Sequence, residues 1–333
     1  MSGPSGKSIL VIGGAGYIGS VLTGRLLDAG YPVRVLDSLL YNNEAALALY
    51  RDVTSFEFVK GDFRDAATLE SALEGAASVV MLAALVGDPL CKKHPELAVE
   101  INQTGTLKLV DSLSGRGIDR LVFMSTCSNY GLRETDDAAT EGSPLNPKSL
   151  YAETKVRVEQ YLLDHANRFD FAPIILRCAT AYGQSPRLRL DLTVNDFTYE
   201  VAMGHDLLVY DADTWRPYCH VEDISDAIIT ALQAPDHLVV GEVFNVGRSG
   251  ENYTKRMLVD ILKGLAPEAV VHYREGSVDP RNYRVSFEKI TGLLHFSGHQ
   301  NVSRTIQQLL TLFRGTHPPL VREGNSFHNN ILE

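Results

Sequence analysis

No stretch of the chain approaches the roughly 18 uncharged apolar residues that a membrane-spanning helix requires. No membrane partner is expected. Cysteine is scarce as well: Cys91, Cys127, Cys178 and Cys219 are the only four in 333 residues, scattered singly, without the paired spacing of a zinc site or the density of a disulfide scaffold. This predicts reduced thiols, a cytoplasmic protein and no metal centre. Positive charge is in deficit, with 31 Lys and Arg against 41 Asp and Glu and a formal net charge of −10. That balance argues against a nucleic-acid partner, so an anionic ligand must be held by local arginines against the overall field. The first half contains no internal repeat or low-complexity tract. Met1 to Lys7 is a short Gly/Ser/Pro stretch rather than a secretory signal, and disorder is expected there.

What is present begins at residue 8. Ser8-Ile-Leu-Val-Ile12 is an apolar run that meets three glycines spaced three apart, Gly13, Gly16 and Gly19. Ile9 to Ile12 read as a fully buried parallel strand, and Tyr17 to Ala29 as a helix stopped by Gly30. Glycines at such a junction let the chain turn tightly, let a pyrophosphate approach the helix N-terminus, and let helix and strand pack closely. A second apolar strand, Val33 to Asp37, ends in an acid where a ribose 2′-hydroxyl needs an acceptor. The composition, 44% hydrophobic and 22% charged, is that of a globular enzyme with one large domain and a smaller appendage.

Strand and helix then alternate: a helical stretch from Glu44, a strand Phe56 to Lys60, a helix Ala66 to Glu74, a strand Ser78 to Leu82, a helix Pro95 to Leu113 and a strand Arg120 to Ser125. Asp62 and Phe63 stand at a strand's carboxyl end, suited to a cofactor's adenine, although Asp62 is equally suited to cap the next helix. After Leu82, the small residues Ala83 and Ala84 permit close approach of a ligand to the backbone. The alternation predicts an α/β fold, a doubly wound parallel sheet of Rossmann type with a smaller C-terminal α/β lobe.

The segment after the fifth strand carries the chemistry. Ser149 is suited as N-cap for a helix on which Tyr151 and Lys155 stand at i and i+4 and share one face. A phenol must lose proton affinity to exchange a proton near neutral pH, and adjacent positive charge favours that. Thr126 is placed to hydrogen-bond the same substrate oxygen. The predicted catalytic set is Thr126, Tyr151 and Lys155.

The glycine triplet, Asp37, Asp62, Thr126 ahead of Tyr130-Gly131, Tyr151-x-x-x-Lys155 and Arg216-Pro-Tyr-Cys-His-Val221 together resemble the extended short-chain dehydrogenase/reductase family, specifically its nucleotide-sugar epimerases, dehydratases and reductases. The resemblance spans roughly residues 8 to 315. It implies NAD as cofactor, a nucleotide-diphosphate sugar as substrate partner, and a homodimer formed through the helix bearing Tyr151 and the one from Pro95. The implied cofactor contacts are Gly13, Gly16, Tyr17, Ile18, Gly19, Asp37, Asp62, Phe63, Leu82, Ala83, Ala84, Asn102, Tyr151 and Lys155. Asn102 is equally well read as a structural amide.

Further on, Ala172 to Arg177 reads as a sixth strand, Thr193 to Met203 as a helix, Leu207 to Tyr210 as a strand and Ile224 to Gln233 as a helix. The remainder, Glu242 to Phe313, reads as a strand, a helix from Thr254, a strand Val270 to Tyr273 and helices from near Phe287 and Val302. Expected substrate contacts are Thr126, Thr180, Arg187, Arg189, Thr193, Arg216, Asp279 and Arg281. Relatives often carry Asn where Thr180 stands, and a hydroxyl replaces only part of an amide's bonding capacity. His220 is read as structural. The expected boundaries are a dinucleotide-binding domain at 8–183 to which 207–233 returns, a substrate lobe at 184–206 and 234–315, and a flexible tail at 316–333.

Three hydride-based reactions fit this set. Dehydratases of the family carry an Asp-Glu pair directly after the threonine, where this chain has Cys127-Ser128, so the acid and base of an elimination are missing there. A C4 epimerase acting by transient oxidation is the favoured reading, with a 4-ketoreductase and, behind it, a 4,6-dehydratase as alternatives. A dinucleotide-binding redox sensor is the non-enzymatic one. Asp37 repels a 2′-phosphate and points to NAD over NADP, with Arg34 nearby in an orientation the sequence leaves open.

Overall fold

The computed structural model describes residues 7–133, 137–276, 281–315 and Asn330. The tail and the start of the chain, read above as flexible, otherwise lie outside the described residues, as does Asp279. The elements in order are β1 (Ser8–Ile12), α1 (Tyr17–Asp28), β2 (Val33–Asp37), β3 (Phe56–Lys60), α2 (Ala66–Leu73), β4 (Ala76–Met81), α3 (Asp88–Lys93), α4 (Pro95–Val99), α5 (Thr106–Leu113), β5 (Arg120–Thr126), α6 (Leu150–His165), β6 (Ala172–Cys178), β7 (Thr180–Tyr182), α7 (Thr193–Ala202), β8 (Leu207–Tyr210), β9 (Trp215–His220), α8 (Val221–Gln233), α9 (Asp236–Val239), β10 (Glu242–Val246), β11 (Asn252–Thr254), α10 (Lys255–Leu265), β12 (Val271–Arg274), α11 (Glu288–Leu294) and α12 (Val302–Gly315).

Seven strands form one sheet in the order β10-β6-β5-β4-β1-β2-β3, with every pairing parallel. Parallel strands covered by helices on both faces must be apolar throughout, and Leu10, Val11, Val79, Val80, Val122, Ile174 and Ile175 are accordingly fully buried. The chain runs outward from β1 through β2 to β3, then returns to β1's other side at β4. The crevice beyond the carboxyl ends of β1 and β4 is therefore the switch point at which such sheets bind ligands. Gly30 closes α1 at φ +84°, its N–H donating to Leu27 O at 2.9 Å, a conformation glycine adopts without strain. Against the expected single helix over 95–113, the chain makes α4, a π-helical segment Glu100–Gly105 and α5. The extra residue per turn in a π segment is a local distortion that apolar periodicity does not register.

The smaller lobe pairs β7 with β9 in parallel and β9 with β11 antiparallel, and β8 with β12 in parallel. Its core joins Val194, Phe197, Leu207, Tyr218, Leu262 and Ile306. The boundary between the units falls elsewhere than expected. β10 is the edge strand of the large sheet, pairing Val243 with Ile175, whereas β8 pairs with β12 inside the small lobe. Period-2 and apolar-run signals give each strand's existence but not its partner, so the expected assignment of 207–210 and 242–246 is the reverse of the observed one. Single bridges Leu132↔Asn282 and Ala139↔Val285 tie the loop after β5 to the lobe.

Candidate active site

One cleft of about 670 Å3 lies between sheet and lobe. It is lined by Gly13, Gly16, Tyr17, Ile18, Gly19, Asp37, Asp62, Phe63, Leu82, Ala83, Ala84, Thr126, Tyr151, Lys155, Thr180, Arg187, Arg189, Thr193, Arg216 and Arg281. Residues far apart in sequence thus converge, and of the expected set among the described residues only Asn102 is not on this wall.

At the β1 end the glycines form a cradle. A Cβ on Gly13, which sits at φ +87°, would lie 2.7 Å from Ala83 N, and one on Gly19 would lie 2.2 Å from Gly13 O. At Gly16 the nearest atom is Gly13 O at 3.1 Å, so its open side faces the cleft. Asp37 accepts from Ala15 N at 3.0 Å and Leu39 N at 2.8 Å. Burial pushes its carboxyl up, while those two amides and Arg187 draw it back. Arg34 points away, bonded to Glu57 at 2.6 Å and to the backbone of Ala72. Asp62 pairs with Arg64 at 2.5 Å, which holds its carboxyl below the usual range, and Asp65 caps α2 by accepting from Thr68 N at 2.8 Å. A helix N-terminus free of side chains, with an acid and an apolar Phe63 beyond it, fits a dinucleotide.

Asn102 stands behind this wall. Its amide accepts from Leu85 N at 2.7 Å and donates to Leu85 O at 3.0 Å, so it holds the loop that carries the lining residues. Tyr17 contributes through its helix position, since its hydroxyl donates to Gly183 O at 2.7 Å and fastens α1 to the lobe.

At the reactive end, Ser149 caps α6 by accepting from Ala152 N at 3.4 Å, which sets Tyr151 and Lys155 on the cleft face. Lys155 Nζ donates to Met124 O at 2.8 Å and lies 5.9 Å from the Tyr151 ring. Burial draws the ammonium down to about 8 and drives the Tyr151 phenol well above its ordinary value, with Cys91 and Cys178 adding to the rise. The sequence predicts that Lys155 and an oxidised nicotinamide together lower the phenol; with the protein's own groups alone desolvation wins. Thr126 Oγ1 accepts from Ser128 N at 3.1 Å, which leaves its own proton for a ligand. Behind it, Glu159 pairs with Arg177 at 2.7 Å and accepts from Asn129 Nδ2 at 2.6 Å. Arg177 also donates to Tyr130 OH at 3.1 Å. This buried network fixes the end of β5. Cys127 faces away, its thiol donating to Arg177 O at 3.1 Å. His220 is structural, capping α8 by accepting from Glu222 N at 3.2 Å.

The arginines divide by position. Arg187 packs 4.6 Å over the Tyr41 ring and acts on Asp37, which puts it toward the Asp37 end of the cleft. Arg189 pairs with Asp191 at 2.5 Å. Arg216 lies 5.4 Å over Tyr283 and donates to Trp215 O and Arg281 O. Arg281 reaches Asp88 at 3.1 Å and Ser128 Oγ at 3.1 Å. Asp88, Ser128, Tyr41 and Tyr283 also line the cleft, and the sequence carried no site reading for Asp88 and Tyr41. An acid directly after the Gly87 turn was the available signal for Asp88. Among the described residues no cluster of His, Cys, Asp and Glu is suited to a metal, and no helix is long and apolar enough to cross a membrane.

The chain matches the NAD dependent epimerase/dehydratase family over residues 9–247. It is 30% identical over 318 residues to UDP-glucose 4-epimerase of Corynebacterium glutamicum, covering 90% of this chain and 93% of that one. Among solved structures it is similar to the UDP-glucose 4-epimerase of Thermus thermophilus in complex with NAD, with a TM-score of 0.80, 26% identity, and 92% and 99% of the two chains covered. It is also similar to DesIV, a dTDP-glucose 4,6-dehydratase from Streptomyces venezuelae with NAD bound, with a TM-score of 0.83, 28% identity, and 93% and 98% covered.

Proposed function

Because the chain belongs to the NAD-dependent epimerase/dehydratase family, and is an enzyme that uses NAD, we propose that it epimerises the sugar C4 of a nucleotide-diphosphate hexose by transient oxidation. Similarity by itself divides between an epimerase and a dehydratase. The observation that favours epimerisation is the state of the acids. Among the described residues the carboxylates on the cleft wall are Asp37, Asp62, Asp88 and Asp191, and each is engaged, by two backbone amides, Arg64, Arg281 and Arg189 respectively. An elimination needs a carboxylic acid or carboxylate at liberty to donate or take a proton from the sugar. Proton transfer at a single hydroxyl needs only the phenol.

In this reading Tyr151 exchanges the proton of the C4 oxygen, and Thr126, whose oxygen already accepts from Ser128 N, donates to the same atom. Lys155 fixes the α6 face against β5 through Met124 O and holds the ribose of the cofactor next to the phenol. Bound NAD supplies the acceptor and donor of hydride and, oxidised, a positive charge that offsets the burial of the phenol. Gly13, Gly16 and Gly19 accept the pyrophosphate, and Asp37 accepts from the 2′-hydroxyl. On the substrate side, Thr180, Thr193, Arg189 and Arg216 line the half of the cleft that would take the nucleotide diphosphate. Homodimerisation through α6 and the α4–α5 segment is part of the proposal. Light scattering that returns the mass of one chain would remove that part.

The test is mass spectrometry of UDP-, GDP-, CDP- and dTDP-hexoses incubated with the enzyme in deuterated water, with and without NADH. Epimerisation gives an isomer of unchanged mass, resolved from the starting sugar by chromatography ahead of the spectrometer, and needs no NADH. Loss of water with uptake of deuterium indicates a dehydratase, whereas a ketoreductase leaves these hexoses unchanged and uses NADH to reduce a nucleotide 4-ketohexose included in the panel.

A further inference from the structure

The Asp88–Arg281 pair crosses the cleft. Asp88 begins α3, on the sheet side, directly after Gly87 at φ +103°. Arg281 belongs to the lobe segment that bridges back at Asn282 to Leu132. Their side chains meet at 3.1 Å and are each about one-fifth exposed. The second arm of the same guanidinium donates to Ser128 Oγ at 3.1 Å, and the Tyr283 hydroxyl lies 3.4 Å from that oxygen. Ser128 N donates to Thr126 Oγ1, so the three-residue bridge is anchored on the catalytic threonine. The Asp88 charge also reaches the Tyr151 phenol. Carboxylate, guanidinium and hydroxyl thus stand beside Thr126, the residue assigned above to the sugar's C4 oxygen.

We infer that the Asp88–Arg281 ion pair, seated on Ser128, forms the selective wall of the sugar subsite and admits neutral hydroxyl-bearing hexoses in preference to hexuronates. This rests on the nucleotide-sugar reading above. A sugar hydroxyl can donate to Asp88 and accept from Arg281 at once, so it bridges the pair without breaking it. A sugar carboxylate only accepts. It must compete with Asp88 for the same guanidinium, and it brings a like charge beside Asp88 in a cleft of low dielectric. Arg281 without Asp88 would have the opposite preference, because an unengaged guanidinium fork matches a carboxylate in charge and geometry. The selectivity therefore resides in the pair.

The experiment measures equilibrium binding of UDP, UDP-glucose and UDP-glucuronate to the full chain loaded with NAD, for wild type and the near-isosteric Asp88→Asn. Wild type is expected to bind UDP-glucose at least tenfold more tightly than UDP-glucuronate. Asp88→Asn is expected to reduce that ratio at least tenfold, while UDP, which lacks the hexose, binds both proteins within threefold. A wild-type preference for UDP-glucuronate overturns the inference whatever the variant does, as does an unchanged ratio in Asp88→Asn. If neither these three ligands nor any GDP-, CDP- or dTDP-hexose binds wild type, the nucleotide-sugar reading falls and the inference with it; if only another nucleotide binds, its hexose and hexuronate take the place of the uridine pair in the same comparison. If UDP and both sugars bind and the ratio does not respond, the inference alone falls.

Discussion

A phenol and an ammonium that share a buried wall do not keep their solution chemistry, and the reaction depends on how each is shifted. Tyr151→Phe removes the exchangeable proton and little volume, so kcat should fall by roughly 10²–10⁴-fold with NAD affinity retained. Near-full turnover in that variant would end the hydride mechanism. Lys155 makes a prediction through stability. In the folded protein it titrates at about 8, whereas in an unfolded chain it titrates near 10.4. Between those values the unfolded state binds more protons, so stability rises with pH across that window; below pH 8 the full cost of the buried ammonium, on the order of 3 kcal/mol, is present. Lys155→Met abolishes this cost along with activity. Its Tm relative to wild type should be highest near pH 7 and decline as pH approaches 10, and a difference that does not vary with pH would contradict the burial argument. Tyr151, Lys155 and Thr126 were legible because their order and spacing are local. Asp88 and Ser128 were not, since the Asp88–Arg281 bond joins residues far apart in sequence; Arg187 was expected on the cleft, but its nearness to Asp37 is a matter of tertiary position.

At the scale of elements, the strand end that carries Thr126 is held by the buried Arg177–Glu159 pair, whose side chains are 5% and 2% exposed. Removing one partner leaves an uncompensated charge. Glu159→Gln should therefore cost roughly 3–5 kcal/mol in urea unfolding, and Glu159→Gln with Arg177→Met should recover part of it. A double variant no more stable than the single would show that the pair does not act as a unit. The turn after β1 makes a second prediction. Gly13 sits at φ +87° with Ala83 N 2.7 Å from where a Cβ would go, so Gly13→Ala should lose roughly 1–3 kcal/mol and measurable NAD binding by calorimetry. Retained binding would mean that this turn is not the dinucleotide cradle. The strand–glycine–helix order and the cap Ser149 were readable, because capping and apolar runs are properties of short segments. The π segment and the exchange of β8 and β10 between units were not, because hydrogen-bond register and strand partnership are set by packing.

Over the whole molecule the net charge of −10 is offset locally, with Arg187, Arg189, Arg216, Arg281 and Lys255 all on the cleft wall, so the acidic chain presents a basic groove to an anionic ligand. Within it Asp37 stands at the end proposed for the dinucleotide. NAD(H) is expected to bind more tightly than NADP(H), and Asp37→Ala to narrow the gap; titrations of stripped protein in which NADP(H) binds equally well would oppose this. Arg187 beside Asp37 moderates the repulsion without removing the acid's role as acceptor. The central claim, oxidation and return of one hydride at C4, is tested most directly by isotope. UDP-glucose carrying deuterium at C4, incubated with the enzyme in ordinary water without added cofactor, should yield UDP-galactose that keeps the label at C4. Product that has lost the label, or a product lighter by water, would contradict the account.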